Sequence, residues 1–149
     1  MSTTIKKHVD HWINSSNESL KDMEALLKSD RRMNAMYTGH LAVEKMFKAI
    51  LAAQDVKIIW QHKLVPLAEK CGFGLTSDLR AELLLITEFN TAAKYASVKS
   101  MIHQRCTPQY VKQSAILIRK WHKYLKLEVM RLRAALPDRT PATHPEDMF

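Results

Sequence analysis

Helix breakers are almost missing from the first 136 residues of this 149-residue chain, which constrains its fold more than any motif does. Three of the five prolines come after residue 136, and only three glycines serve the whole sequence. An all-β domain needs a turn signal every 8–12 residues or so, and the chain cannot supply them. Its length and 46% hydrophobic content suit one domain with a single buried core.

Apolar residues recur at helical intervals instead. Val9, Trp12, Ser16, Leu20, Met23 and Leu27 form one stripe, with Asn14, Glu18, Lys21 and Lys28 opposite. Ser29-Asp30 interrupts that helix and is read as the N-cap of a second, which runs through Val43, Phe47, Ile50 and Leu51 to about Gln54-Asp55. VKIIWQH, with four apolar residues and no helical stripe, reads as a packed connector. A short third helix over Lys63–Lys70 turns Leu64, Leu67 and Ala68 inward and closes at Cys71-Gly72-Phe73-Gly74. Thr76-Ser77-Asp78 caps a fourth, striped by Leu79, Leu83, Ile86, Asn90 and Ala93. The 95–106 segment loses its period and reads as a frayed end plus loop. Thr107-Pro108 starts the longest helix, which runs to about Leu136. The expectation is an all-α, up-and-down bundle of four long helices plus one short one over residues 1–136, with 137–149 a disordered tail.

No apolar run approaches the roughly 20 residues of a membrane span, and MSTTIKKHVDHW has no apolar stretch like that of a secretory signal. A cytoplasmic protein without membrane contact is expected. Cys71 and Cys106 are far apart and lack C-x-x-C spacing, so they read as reduced, inert thiols. No metal or cofactor is implied.

The formal charge of +8 points to nucleic acid, nucleotide phosphates or an acidic protein as partner. On the last helix Lys112, Arg119, Lys123, Lys126 and Arg133 fall within about 80° of one another at 100° per residue. Tyr110, Ser114, Leu117, Trp121, Leu125 and Leu132 lie on the far side. The basic ridge reads either as a solvated face or as a phosphate-tracking surface for RNA.

GHLAVEKMFKAIL, followed about ten residues later by QHKL, resembles the signature of the HEPN family, named for higher eukaryote and prokaryote nucleotide binding. His40 stands at the family's usual glutamine position, Glu44, Lys45, Lys48 and Ala49 match its second-helix pattern, and His62 and Leu64 match its His-x-Leu. Trp12 and Thr107-Pro108 also fall where the family has them. FNTAAKYAS resembles its Tyr-x-x-x-Arg-Tyr-Pro segment, with Phe89, Lys94 and Ala96 at the tyrosine, arginine and proline positions. The resemblance covers roughly residues 8–127 and implies a four- to five-helix bundle.

Many proteins of that family are ribonucleases carrying Arg-x(4–6)-His near the start of the last helix. The one match here, Arg139 to His144, lies in the proline-rich tail, where no scaffold would hold it in catalytic geometry. The resemblance therefore implies a non-enzymatic protein of the Arg-Tyr-Pro-like subgroup. It implies nucleotide or RNA binding, a nucleotidyltransferase as partner in a toxin–antitoxin or defence setting, and a homodimer. The alternative is a diverged ribonuclease using Lys94, His103 or Arg105. Candidate nucleotide or partner contacts are His40, Glu44, Lys45, Lys48, His62 and Lys94. His40 and Glu44 are open to three roles: a scaffold pair satisfied across the bundle, because a buried unpaired carboxylate is too costly to keep; part of that pocket; or general acid–base catalysis, for which no nucleophile or metal constellation accompanies them.

Overall fold

The computed structural model describes residues 4–94, 104, 106–137 and 139–140. Among the described residues five helices have defined bounds: α1 (Ile5–Lys28), α2 (Arg32–Ala53), α3 (Leu64–Lys70), α4 (Ser77–Lys94) and α5 (Pro108–Ala134). Among the described residues there is no strand. The all-helical bundle anticipated from periodicity is the fold observed.

Helix α2 is its axis. Fifteen of its 22 residues are buried, on nearly every side of the helix. That is what a helix with neighbours all round must look like, and α2 packs against α1, α3, α4 and α5. The amphipathic helices surround it. α1 turns Val9, Trp12, Ser16 and Met23 inward as its stripe requires, and α5 does the same with Ser114, Trp121 and Leu125. On α4, Leu83, Ile86 and Asn90 are buried, while Leu79 is partly so.

Gly39 lets three helices meet. A Cβ there would come within 2.7 Å of both Ile118 Cδ1 on α5 and Met23 Sδ on α1. Overpacking of this kind costs about 1–3 kcal/mol, against a gain of about 0.5–1 kcal/mol from replacing glycine inside a helix. Gly39→Ala should therefore lower the unfolding free energy by about 1–2 kcal/mol. Urea denaturation tests this, and a stabilised variant would refute the close approach.

Three helices end in one motif. After α1, Asp30 N–H donates to Leu27 O and Arg31 N–H to Leu26 O, with Asp30 at φ 56°. After α2, Asp55 (φ 55°) and Val56 donate to Ala52 and Leu51. After α3, Gly72 (φ 93°) and Phe73 donate to Glu69 and Ala68. In each, a left-handed residue reverses the chain and satisfies the last carbonyls. Ser29-Asp30 therefore terminates α1 rather than capping α2, whose N-cap is Arg31 with no side-chain hydrogen bond. The other caps match expectation: Thr76 Oγ1 accepts from Leu79 N–H, and Thr107 Oγ1 from Tyr110 N–H ahead of Pro108.

Most of the 95–106 segment, read as a frayed end and loop, lies outside the described residues, as do residues 141–149. Past α5, Arg139 is attached to the bundle. Its carbonyl accepts from Ile5 N–H at 2.7 Å and its guanidinium pairs with Asp55 at 3.0 Å. Cys71 and Cys106 are buried and unbonded to one another. Burial pushes the Cys71 thiol up to about 12, so it is not a nucleophile at neutral pH.

Candidate functional site

Residues 40, 44 and 48 are successive turns of one α2 row, and the connector after α2 brings His62 back over them. Glu44 is 4% exposed. Its Oε2 accepts from Lys48 Nζ at 3.0 Å, and its Oε1 from His62 Nδ1 at 3.0 Å. A carboxylate removed from water needs such partners on both oxygens. Lys48 in turn lies between two indoles, 5.5 Å from the Trp12 ring centroid and 5.9 Å from that of Trp60, close enough for cation–π attraction. Trp12 is set by its own Nε1–H, which donates to His8 Nε2 at 3.2 Å.

His40 closes the row from below. It is fully buried, and its Nε2 donates to the His62 carbonyl at 2.9 Å. That bond places the proton on Nε2, since a carbonyl oxygen can only accept. Burial, the largest influence, holds the ring's pKa below the usual histidine value, and Glu44 at 3.9 Å opposes this only in part. The ring is thus neutral at physiological pH, and its Nδ1 meets no partner among the described residues. A ring so enclosed is a strut for the connector. The His40 ring itself has no exposure to solvent, and among the described residues no hydroxyl or thiol nucleophile is bonded to the His40–Glu44 pair.

Four of the six candidate pocket residues therefore meet: His40, Glu44, Lys48 and His62. Lys45 turns away to α1, where its Nζ donates to Ser19 Oγ at 2.9 Å. The side chain of Lys94 lies outside the described residues, with Ala96, His103 and Arg105. Phe89, from the same segment, is buried edge-on to Tyr110 with centroids 6.3 Å apart.

Trp60 escaped the sequence reading. The connector VKIIWQH is packed through Ile58 and partly through Val56 and Ile59, but the Trp60 indole is 79% exposed. It stands over Lys48 beside the half-exposed His62 side chain. A tryptophan flanked by Lys57, Gln61, His62 and Lys63 was the available signal.

The α5 ridge is partly spoken for. Arg119 makes two hydrogen bonds to Glu24, at 3.0 and 2.6 Å, and Arg133 two to Asp10, at 2.6 and 2.8 Å. Asp10 and Glu24 are fourteen residues apart on α1, as are Arg119 and Arg133 on antiparallel α5. The pairs thus form two rungs of one interhelical seam. Rungs this exposed are each worth no more than about 1 kcal/mol. Lys112, Lys123 and Lys126 have no carboxylate partner among the described residues. A groove of about 270 Å³ beside the seam is lined by Arg32, Lys112, Arg119 and the acidic Asp30 over Leu27 and Val111.

Among the described residues no group of three His, Cys, Asp or Glu side chains could hold a metal ion, and no helix is long and apolar enough to cross a membrane. The family model described as "HEPN domain" matches residues 9–128, four-fifths of the chain. The protein belongs to the HEPN domain family. No curated protein and no solved structure matches it significantly. In this HEPN domain the matching motif residues Glu44, Lys48 and His62, with Trp12, make a single cluster joining α1, α2 and the connector. Arg139, the arginine of the sequence's sole Arg-x(4–6)-His match, is already paired with Asp55, and His144 lies outside the described residues.

Proposed function

We propose that this HEPN domain is a non-catalytic module that binds nucleotide or single-stranded RNA, with a base stacked on Trp60. The carrying observation is the exposed indole held over Lys48 and beside His62. Every base has a π-face, so such a platform binds nucleotides with little sequence preference, each stack being worth about 1–3 kcal/mol. Exposed Lys57 and Lys63 on either side of Trp60 are suited to phosphates, and Lys112, Lys123 and Lys126 would extend the electrostatic field. The protein acts in the cytoplasm as a homodimer, as the accessory partner of a nucleotidyltransferase in a toxin–antitoxin or defence system. Support for that part of the reading is the family's association with nucleotides and RNA, together with the absence of an Arg-x(4–6)-His pair from the helical body.

Trp60→Ala should weaken binding of a labelled single-stranded RNA about tenfold or more, measured by fluorescence anisotropy at fixed salt. The indole is mostly in water and its contact with Lys48 is worth about 0.5–2 kcal/mol, so the unfolding free energy should fall by no more than about 2 kcal/mol. Unchanged affinity in this variant removes the platform. Incubation of the purified protein with RNA should yield no cleavage products; cleavage lost in His103→Ala would establish the diverged ribonuclease instead.

A further inference from the structure

Helix α5 has a second exposed face, turned away from the α1 seam, whose apolar side chains are left in water by the described part of the bundle and have no part in the phosphate contacts. Ile116, Tyr124, Leu127 and Met130 are 55, 53, 64 and 47% exposed. At 100° per residue they fall within about 120° of one another. Lys112, Lys120, Lys123 and Arg131 share that sector. Lys120 is neutralised by Glu82 and Arg131 by Glu128, but Lys112 and Lys123 have no carboxylate partner among the described residues. Tyr124 also forms one wall of a groove of about 370 Å³, completed by Phe73, Leu75, Leu79 and Trp121. Its aromatic walls are in mutual contact: Phe73 to Tyr124 at 6.1 Å and Trp121 to Tyr124 at 6.3 Å between centroids. The groove is thus braced from behind and open in front.

We infer that this face docks an acidic amphipathic helix of a partner protein, with one large apolar side chain of that helix seated in the Phe73–Trp121–Tyr124 groove. The occupant follows from how charge and apolar surface are arranged. Ile116, Leu127 and Met130 are aliphatic, give a base no ring to stack on and add nothing to phosphate binding, which disfavours RNA here. A bilayer would require apolar and basic residues on separate faces, whereas Lys123 lies between Ile116 and Leu127 on the same face. A second copy presenting this face symmetrically would set Lys112 and Lys123 against their own kind. A helix with apolar anchors at three- and four-residue intervals, and carboxylates between them, complements both features at once. The inference does not depend on base stacking at Trp60.

The test is selection from a displayed library of random helical peptides against the full chain. Winners are expected to carry spaced apolar residues flanked by Asp and Glu. Their affinity should fall tenfold or more in Leu127→Glu and in Lys123→Glu. Both positions are exposed, and an unchanged unfolding midpoint in each variant would verify folding. ATP binding by Leu127→Glu should stay within twofold of the unsubstituted protein, which separates this face from the Trp60 platform. No winners, winners without acidic excess, or winners indifferent to both substitutions would overturn the proposal. So would phosphatidylglycerol-vesicle binding, RNA binding or self-association that Leu127→Glu abolishes.

Discussion

Glu44→Ala is expected to lower the unfolding free energy by about 3–5 kcal/mol, the usual cost of deleting one partner from a buried ion pair. The substitution leaves the Lys48 ammonium, 5% exposed, without the carboxylate 3.0 Å away. It also removes the acceptor that holds His62 Nδ1. The two flanking indoles soften the loss, but each cation–π contact supplies only about 0.5–2 kcal/mol. Glu44→Gln keeps an oxygen for one partner and should fall between the two. The double variant Glu44→Leu/Lys48→Met removes both charges and should be close to the unsubstituted protein, because apolar replacement of a whole buried pair is often neutral. Urea denaturation of the four proteins decides the matter. A loss below about 1 kcal/mol in Glu44→Ala would mean that the carboxylate is not part of the scaffold. The proposed base stacking would be coupled to the same element: Glu44 holds His62, and the connector that carries His62 also carries Trp60. Nucleotide affinity should therefore drop in Glu44→Gln through the loosened connector.

The bundle was legible in the sequence because burial in helices has a period, and nothing in the first 136 residues interrupts it for long. The Glu44 cluster was half legible. The i, i+4 spacing of His40, Glu44 and Lys48 is visible in one dimension, and resemblance to the HEPN pattern added His62. What the spacing could not say is that His62 returns to Glu44 through a connector, since that contact spans 18 residues, the last nine of them outside any helix. Trp60 was hidden for a related reason: outside a helix or strand, no period tells which apolar side chains face inward. The α5 ridge shows a different limit. An angular count places cations on one side of a helix but is blind to the neighbouring helix, so Glu24 and Asp10 could not be seen opposite Arg119 and Arg133. Asp30 was ambiguous because the same short polar side chain suits both the start of a helix and a left-handed end.

Acidification should unfold the protein earlier than its carboxylates alone would require. His122 is buried on α5, its Nε2 meets no partner among the described residues, and desolvation, aided by the Lys126 charge, brings its pKa from 6.5 down to about 4. In the unfolded chain the ring titrates near 6.5. Between those two values the unfolded state holds a proton that the folded state does not, so stability falls as pH decreases. The contribution is fully present above pH 6.5, erodes below it and is lost by about pH 4. At 1.36 kcal/mol per unit, the difference is worth about 3 kcal/mol. Buried His40, whose pKa is also depressed, acts in the same direction. Glu24 and Glu128, held below the usual carboxylate value chiefly by hydrogen bonds from Arg119 and Arg131, lose their contribution only at lower pH, as protonation sets in below about 4.5. The interval from pH 6.5 to 4.5 therefore belongs to the histidines. Denaturant midpoints measured across it should drop steeply for the unsubstituted protein and much less for His122→Leu, which removes the titrating group while keeping the side chain apolar. Parallel profiles for the two proteins would show that His122 reaches water in the folded state.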